Sequence, residues 1–528
     1  MSEPNFPTLI QALQNPSLYD HEVQNFQVLE THISWILLTG PYAYKIKKPV
    51  NVGFLDFSTL DQRRFFCEEE LRLNQRLAPE FYVELVTITG APQSPRLNNT
   101  GESIEYAVKM RQFPQEALLS RRIQRGQVSK SHIDELAATI AEFHAHVAVV
   151  DPASAFGTSD LIRQTILENF EHLPRAMSGL ISREEVERLK RWTECEHSRH
   201  LDDFRERKKK GFVRECHGDL HLGNIALVDE QLVIFDCIEF SERFRWIDVI
   251  SEVAFVVMDL IDRDAPRLGW RLLNHYLELT GDYEGINTFR YYLTYRAMVR
   301  AKVTGIRLAQ QEPEDSEYAA LEEELTQYLA LATSFTKPPH PVLLITHGLS
   351  GSGKTTVSQT LLESLGAIRI RSDIERQRLF GVSPEERTHA GKSPFIYSKD
   401  STEATYDRLE KLARQVLRSG FSVIVDATFL KRTHREAFRQ FANDLGVPFC
   451  ILDIHASEAT LRVRIEKRLQ EGRDASEADI SVLEGQLSHD EPFSPTERPH
   501  VLTINTEQRE SLDKTLKVIH SMMNASSP

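Results

Sequence analysis

The sequence predicts two modules in tandem, a mixed α+β module followed by an α/β module with a parallel sheet wrapped by helices. Three observations carry this. Residues 335–341 read Phe-Thr-Lys-Pro-Pro-His-Pro, and prolines without amide hydrogens end a helix and favour an extended connector. Beyond them four strand-like runs, VLLITH, AIRIRS, FSVIVDA and PFCILDIH, each precede a helix-compatible stretch, the alternation of a parallel sheet. Before them, the first hundred residues look like short strands with one helix, and helical patterns dominate from Ser131 to Ser334. The expected division is 1–335, a linker at 336–341, and 342–528.

The chain has 528 residues, 41% hydrophobic and 27% charged, enough for two or three buried cores and too apolar for global disorder. No apolar run approaches the roughly 20 residues of a membrane-spanning helix, and the N-terminus lacks the pattern of a secretory signal; a cytoplasmic protein is expected. The five cysteines are scattered and form no CxxC pair, so neither a disulfide frame nor a zinc site is indicated. Of the net charge of −14, almost all lies before Pro341, because the segment from there on holds 25 Lys+Arg against 26 Asp+Glu. An acidic surface disfavours nonspecific nucleic-acid binding.

In the first module the chemistry concentrates at His217-Gly218-Asp219-Leu220-His221-Leu222-Gly223-Asn224, followed by the apolar run Leu232-Val-Ile-Phe that ends in Asp236. Asp219 and Asn224 stand five apart, as in the H-R-D-x-x-x-x-N loop, and Asp236 follows twelve positions later. One loop then carries a base, Asp219, and a metal-side amide, Asn224, while a neighbouring strand brings the carboxylate of Asp236 to the same metal. His144 and His146 stand two apart on a helix and so face different ways, as ordinary helix residues rather than metal ligands. The run Arg205 to Lys210 reads as the solvated end of a helix.

These motifs resemble the aminoglycoside phosphotransferase and choline-kinase-like family, loosely over residues 25 to 330. The resemblance implies a bilobal, protein-kinase-like fold, with a small lobe over about 1–113 and a large lobe over about 114–335. In that small lobe Asn25–Thr31 and Ser34–Thr39 are candidate paired strands, and Ala43–Lys47 the third. Lys45 is the choice for the ATP phosphates because Ala43 stands two before it, as in V-A-I-K; Lys47, on the same strand face, is the fallback. Glu70 is its expected helix partner, and Tyr106–Pro114 the hinge that meets adenine. Asp248 is expected to brace the catalytic loop. No GxGxxG loop precedes Lys45, and Asp236 is followed by Cys-Ile-Glu239 rather than Phe-Gly, departures that favour small-molecule over protein acceptors.

In the second module Gly348-Leu-Ser-Gly-Ser-Gly-Lys354-Thr355 fits GxxxxGK[ST] between a strand and a helix. Glycines let amides converge on phosphates, Lys354 bridges β- and γ-phosphate oxygens, and the Thr355 hydroxyl ligates Mg2+. Gly348, Ser350, Gly351, Ser352, Gly353, Lys354, Thr355 and Thr356 are the expected ATP-binding residues. Asp373, at the carboxyl edge of the next strand, is a candidate base with Arg376 on the acceptor, or else a helix cap. Asp426 ends a third strand and suits either the metal or a cap. Arg464 and Arg468, four apart, suit an arginine-bearing lid.

The set GLSGSGKTT, IRSDIER, VIVDATFL and RIEKR resembles P-loop kinases related to polynucleotide kinase, zeta toxins and gluconate-type kinases, over nearly all of 341–500. As a whole the chain is similar to a two-domain bacterial protein that joins the two kinds of kinase, the second an AAA-family ATP-binding domain. The expectation is an ATP- and Mg2+-dependent phosphotransferase whose modules each transfer the γ-phosphoryl to a small-molecule hydroxyl. The alternatives are a silent ATP-binding sensor in one module, or a nucleic-acid 5′-hydroxyl kinase in the second.

Overall fold

A computed structural model describes residues 6–51, 53, 55–171, 173, 183–311, 315–381, 399–471 and 479–524. They fall into two compact units, Met1–Ile166 with Phe204–Asp259, and Leu167–Asp203 with Leu260–Pro528. Among the described residues no helix is long and apolar enough to cross a membrane, and the five cysteines are free thiols.

The first unit is built on a six-stranded antiparallel sheet. Its strands are β1 (Gln27–Glu30), β2 (Ser34–Leu38), β3 (Tyr42–Lys47), β4 (Tyr82–Ala91), β5 (Ser94–Leu97) and β6 (Ser103–Arg111), in the order β1-β2-β3-β6-β4-β5. Alternation along β3 sends Tyr44 and Ile46 into a core with Leu37, Val86, Ile88 and Ala107. Lys45 and Lys47 therefore share the opposite face. That face meets the Leu60–Asn74 helix, started by a capping box between Thr59 and Gln62. Its buried residues Arg63, Cys67, Glu70 and Asn74 recur every three or four positions, so the helix turns Glu70 inward.

Four short strands organise the rest of the unit: β7 (Val213–Glu215), β8 (Ile225–Val228), β9 (Gln231–Ile234) and β10 (Trp246–Asp248). They interrupt the helical stretch that the sequence pattern suggested. β8 and β9 pair in register Ile225↔Ile234 through a two-residue turn. The turn residues Asp229 and Glu230 both have positive φ, 49° and 63°, the backbone a twisted tight hairpin demands.

In the second unit a five-stranded parallel sheet has the order β12-β13-β11-β14-β15. The strands are β11 (Leu343–His347), β12 (Ile368–Arg371), β13 (Val423–Asp426), β14 (Phe449–His455) and β15 (Val501–Asn505). The first four match the expected runs; β15 is additional. Leu343, Leu344, Ile345, Val423, Ile424, Val425, Ile451 and Leu452 are all fully buried, as strands covered on both faces require. β11 is central and aligned with β13 through Leu343↔Val423, which sets Gly348 and Asp426 at the same carboxyl edge.

Candidate active sites

In the first unit five charged side chains interlock beneath the sheet. Lys45 Nζ lies 2.8 Å from Glu70 Oε1 and 2.7 Å from Asp236 Oδ1. Lys47 Nζ lies 2.7 Å from Glu70 Oε2 and also pairs with Glu239. Glu70 therefore divides its two oxygens between the lysines. Lys47 is almost wholly enclosed, while Asp236 keeps about half its side chain exposed, at 46%, so only the Lys45 end opens outward. Burial alone would lower the lysine pKa values, but Asp236, Glu70 and Glu239 outweigh it at Lys45 and raise it well above the usual value. Burial acts to raise Glu70, yet Lys45 and Lys47 hold it down at about 2. For Glu239 burial wins over Lys47 and its pKa is raised. Asp236 sits at φ 65°, a backbone strain of the kind found at functional positions.

The loop bearing Asp219 runs between β7 and β8. Gly218 has φ 90°, and a Cβ there would stand 2.8 Å from the Phe244 carbonyl, so only glycine fits. Asn224 Nδ2 donates to the Asp219 carbonyl at 3.0 Å and to its carboxylate at 3.2 Å, and His221 Nε2 lies 3.4 Å from the same carboxylate oxygen. The β8–β9 register brings the Phe235 amide to the Asn224 carbonyl at 3.0 Å, and Asp236 follows directly. Asn224 thus stands at the start of this hairpin, hydrogen-bonded to Asp219, and Asp236 just past its end.

Glu252, which the sequence reading passed over, braces this loop. Its carboxylate accepts from the amides of His217 at 2.6 Å and Gly218 at 2.9 Å and pairs with His144 Nε2 at 2.8 Å. Burial would raise its pKa, but His144, His217 and the Gly218 amide lower it to about 2. The expectation that Asp248 does this is corrected: Asp248 is taken by Arg207, at 2.6 and 2.8 Å, and by the Ile250 amide at 3.0 Å at the start of its helix. An acid one turn into an apolar helix resembles a cap or a buried accident in sequence alone. His144, Cys216 and Glu252 lie close enough to hold a metal ion, but Glu252 already accepts the three hydrogen bonds just named and Cys216 Sγ contacts the Ile247 carbonyl at 3.6 Å. The expected hinge narrows as well. Residues up to Arg111 belong to β6, paired on both sides with β3 and β4, so within 106–114 only Gln112–Pro114 lie outside the sheet ladders.

In the second unit the loop after β11 is shaped by three glycines with φ of 145°, 82° and 97°, Gly348, Gly351 and Gly353. A Cβ on Gly348 would fall 2.2 Å from the Ile454 carbonyl and one on Gly351 2.8 Å from that of Leu461. Lys354 opens the Lys354–Leu365 helix, and its Nζ donates to the Gly348 and Leu349 carbonyls at 3.0 and 2.9 Å, spanning its own loop. Ser352 Oγ is buried without a hydrogen-bond partner, an orphan that a phosphate oxygen would satisfy. The Ser350 amide is held by Gln486 at 2.8 Å. Thr355 stands in the first helical turn and Thr356, beside it, is exposed.

Asp426 is buried at the end of β13 and accepts from Ser358 Oγ at 2.9 Å. It caps no helix, because the next one starts at Arg432 with Lys431 as its cap residue. Asp373 is not the cap of the Ser372–Leu379 helix either; Arg371 holds that position. Arg376 Nη1 lies 3.8 Å from Asp373 Oδ1. Arg464 Nη1 braces the phosphate loop from outside, at 3.3 Å from the Gly351 carbonyl and 2.9 Å from Thr506 Oγ1. Arg468 lies one turn further along the Glu458–Glu471 helix. The donor set of each pocket, a lysine with carboxylates and an amide in one, a threonine hydroxyl and an aspartate in the other, suits Mg2+ with a nucleotide phosphate.

Comparison with known proteins gives two family matches. Residues 66–289 match the family model described as "Phosphotransferase enzyme family", and residues 343–493 the model described as "AAA domain". An uncharacterized protein of Mycobacterium tuberculosis (strain ATCC 25618 / H37Rv) is 29% identical over 455 residues, covering 86% of this chain and 88% of the relative; one of Mycobacterium bovis gives the same figures. Among solved structures, a choline/ethanolamine kinase family protein from Mesorhizobium loti aligns with 62% of this chain and 99% of its own, at 10% identity and TM-score 0.35. A sugar kinase from Janibacter sp. HTCC2649 aligns with 35% of this chain and 99% of its own, at 20% identity and TM-score 0.28. Over residues 66–289 the chain thus matches the phosphotransferase enzyme family model, and over residues 343–493 the AAA domain model.

Proposed function

We propose that the protein is a cytoplasmic double kinase in which each module uses Mg2+ and ATP to phosphorylate a hydroxyl of a small molecule. The functional division follows the prolines, one reaction within residues 1–335 and the other within 342–528. In the first module Lys45 grips phosphate oxygens, Glu70 and Lys47 hold Lys45 in place, Asn224 and Asp236 hold the metal, and Asp219 accepts the proton of the attacking hydroxyl. In the second, the amides of residues 348–356 and Lys354 cradle the phosphates, Thr355 and Asp426 hold the metal, and Asp373 accepts the proton. Arg376 meets the acceptor there, and Arg464 and Arg468 line the side from which water must be excluded. Bound Mg2+ would neutralise charge on the phosphates in both pockets.

The observation that carries this reading is the Lys45 ammonium held between Glu70 and Asp236 at 2.8 and 2.7 Å. A silent binding site gains nothing from a base such as Asp219, which is kept partly exposed and flanked by two donors. The test is a metabolite screen for ATP-dependent phosphorylation by the full chain, repeated with Asp219→Asn and Lys354→Ala. Each variant is expected to lose a different product. Unchanged products in either variant would leave the corresponding module a sensor, and phosphorylation of nucleic-acid 5′ ends with steep salt dependence would move the second module to that substrate class.

A further inference from the structure

The helix Pro266–Thr280 lies within the residues that match the phosphotransferase family, yet it packs in the same compact unit as the parallel sheet. There it packs against the Lys354–Leu365 helix and against β12, an edge strand of that sheet. Asn274 closes the edge: its Nδ2 donates to the Ala367 carbonyl at 3.0 Å and its Oδ1 accepts from the Arg369 amide at 2.7 Å. One side-chain amide thereby takes the place of a neighbouring strand.

One turn further on, Glu278 reaches into the unit. Its Oε1 accepts from Arg369 Nε at 2.9 Å and Nη2 at 2.7 Å, and its Oε2 lies 3.8 Å from Arg371 Nη1. The other end of the buried Arg369 guanidinium donates to the Thr355 carbonyl and to Ser358 Oγ, both at 3.3 Å. Ser358 Oγ in turn donates to Asp426 at 2.9 Å. The hydrogen bonds therefore run from Glu278 through Arg369 to Thr355 and, by way of Ser358, to Asp426. Every member except Thr355 is buried.

We propose that Glu278 is a positioning residue for the metal side of the P-loop, so that a helix of the first kinase family sets the Mg2+ affinity of the second. The proposal rests on the reading of that loop as a Mg-ATP site. Arg369 takes its orientation from the Glu278 carboxylate; without that charge it is free to turn onto Asp426 or away from Thr355, and the two groups meant for the metal lose their alignment. Partners behind metal ligands typically carry about 10- to 100-fold in metal affinity.

The test is Mg2+-dependent binding of a nonhydrolysable ATP analogue to the full chain, counting only the binding that Lys354→Ala removes. Glu278→Gln is expected to raise the Mg2+ concentration for half-saturation about tenfold, with little change in nucleotide affinity at saturating Mg2+. Glu278→Asp, which keeps the charge but withdraws it by one methylene, is expected to give a smaller shift in the same direction, and it decides the matter should Glu278→Gln not fold. Asn274→Ala weakens the same helix contact without touching Arg369's guanidinium and is expected to leave the Mg2+ requirement unchanged while lowering the melting temperature. An unchanged Mg2+ requirement in the Glu278 variants, or an equal shift in Asn274→Ala, overturns the proposal. Full analogue binding in Lys354→Ala instead overturns the reading of the loop on which it rests.

Discussion

Lys45 and Lys47 differ by two positions and share one strand face, and what separates their roles is their neighbours. Lys45 meets the half-exposed Asp236, whereas Lys47 is enclosed between Glu70 and Glu239. Truncating one partner of a buried ion pair leaves the other charge stranded, at a cost of roughly 3–5 kcal/mol. Lys47→Ala should therefore show as a lowered urea midpoint and a lost first-module product, while Asp219→Asn keeps wild-type stability and loses roughly 100- to 10,000-fold in kcat for that product. Glu252 gives a pH signature. Its folded-state pKa, about 2, lies below the ordinary 4.5, so the folded chain binds fewer protons there than the unfolded one. The stability it supplies is complete above about pH 4.5 and disappears as the pH falls towards 2. The stability difference between wild type and Glu252→Gln should accordingly be widest at neutral pH and close progressively in acid, as measured by urea unfolding across that range. Spacing made Asp219, Asn224 and Asp236 legible, because their chemistry fixes their distance along the chain. Glu252 was illegible because an acid that accepts backbone amides has no spacing rule to betray it.

At the scale of elements, the phosphate loop was readable because glycine is the residue its backbone demands. Gly348→Ala would put a Cβ 2.2 Å from the Ile454 carbonyl on a backbone at φ 145°. Strain of this kind costs roughly 1–3 kcal/mol, so nucleotide binding at this loop should weaken about tenfold or more while binding at the Lys45 pocket is unaltered. Strands β11, β13 and β14 were readable as mainly apolar runs, since a strand covered on both faces has little room for polar residues, and β12, with the alternating pattern Ile-Arg-Ile-Arg, by its place between two helices. β15, with the pattern Val-Leu-Thr-Ile-Asn and only Ile504 fully buried, lies at the sheet's edge and lacked that signal. The short strands β7, β8 and β10 were hidden for a different reason: three or four residues carry too little periodicity to stand out from the helices around them.

For the whole molecule, the prolines at 338–341 mark a change in sequence character, but the helices Pro266–Thr280 and Ile286–Leu308 share a compact unit with the parallel sheet. The contacts include aromatic ones, Trp270 and Phe289 on Phe421, and polar ones, Asn274 and Glu278 with β12, Arg271 with Glu363 at 2.8 Å, and Asn287 with Ser419 at 2.8 Å. On a helix the polar members read as a solvated face, and the aromatic ones as core of their own module, so neither marks the association in the sequence. If Asn274 closes the sheet edge, the Arg369 amide should exchange slowly with deuterium in the wild-type chain and markedly faster in Asn274→Ala. Equilibrium binding of a nonhydrolysable ATP analogue counts directly the two separate Mg-ATP sites proposed for the chain. Two equivalents per chain in the presence of Mg2+, falling to one in Lys354→Ala, is the expected result; a single equivalent in the wild-type chain, or no loss on changing Lys354, would contradict it.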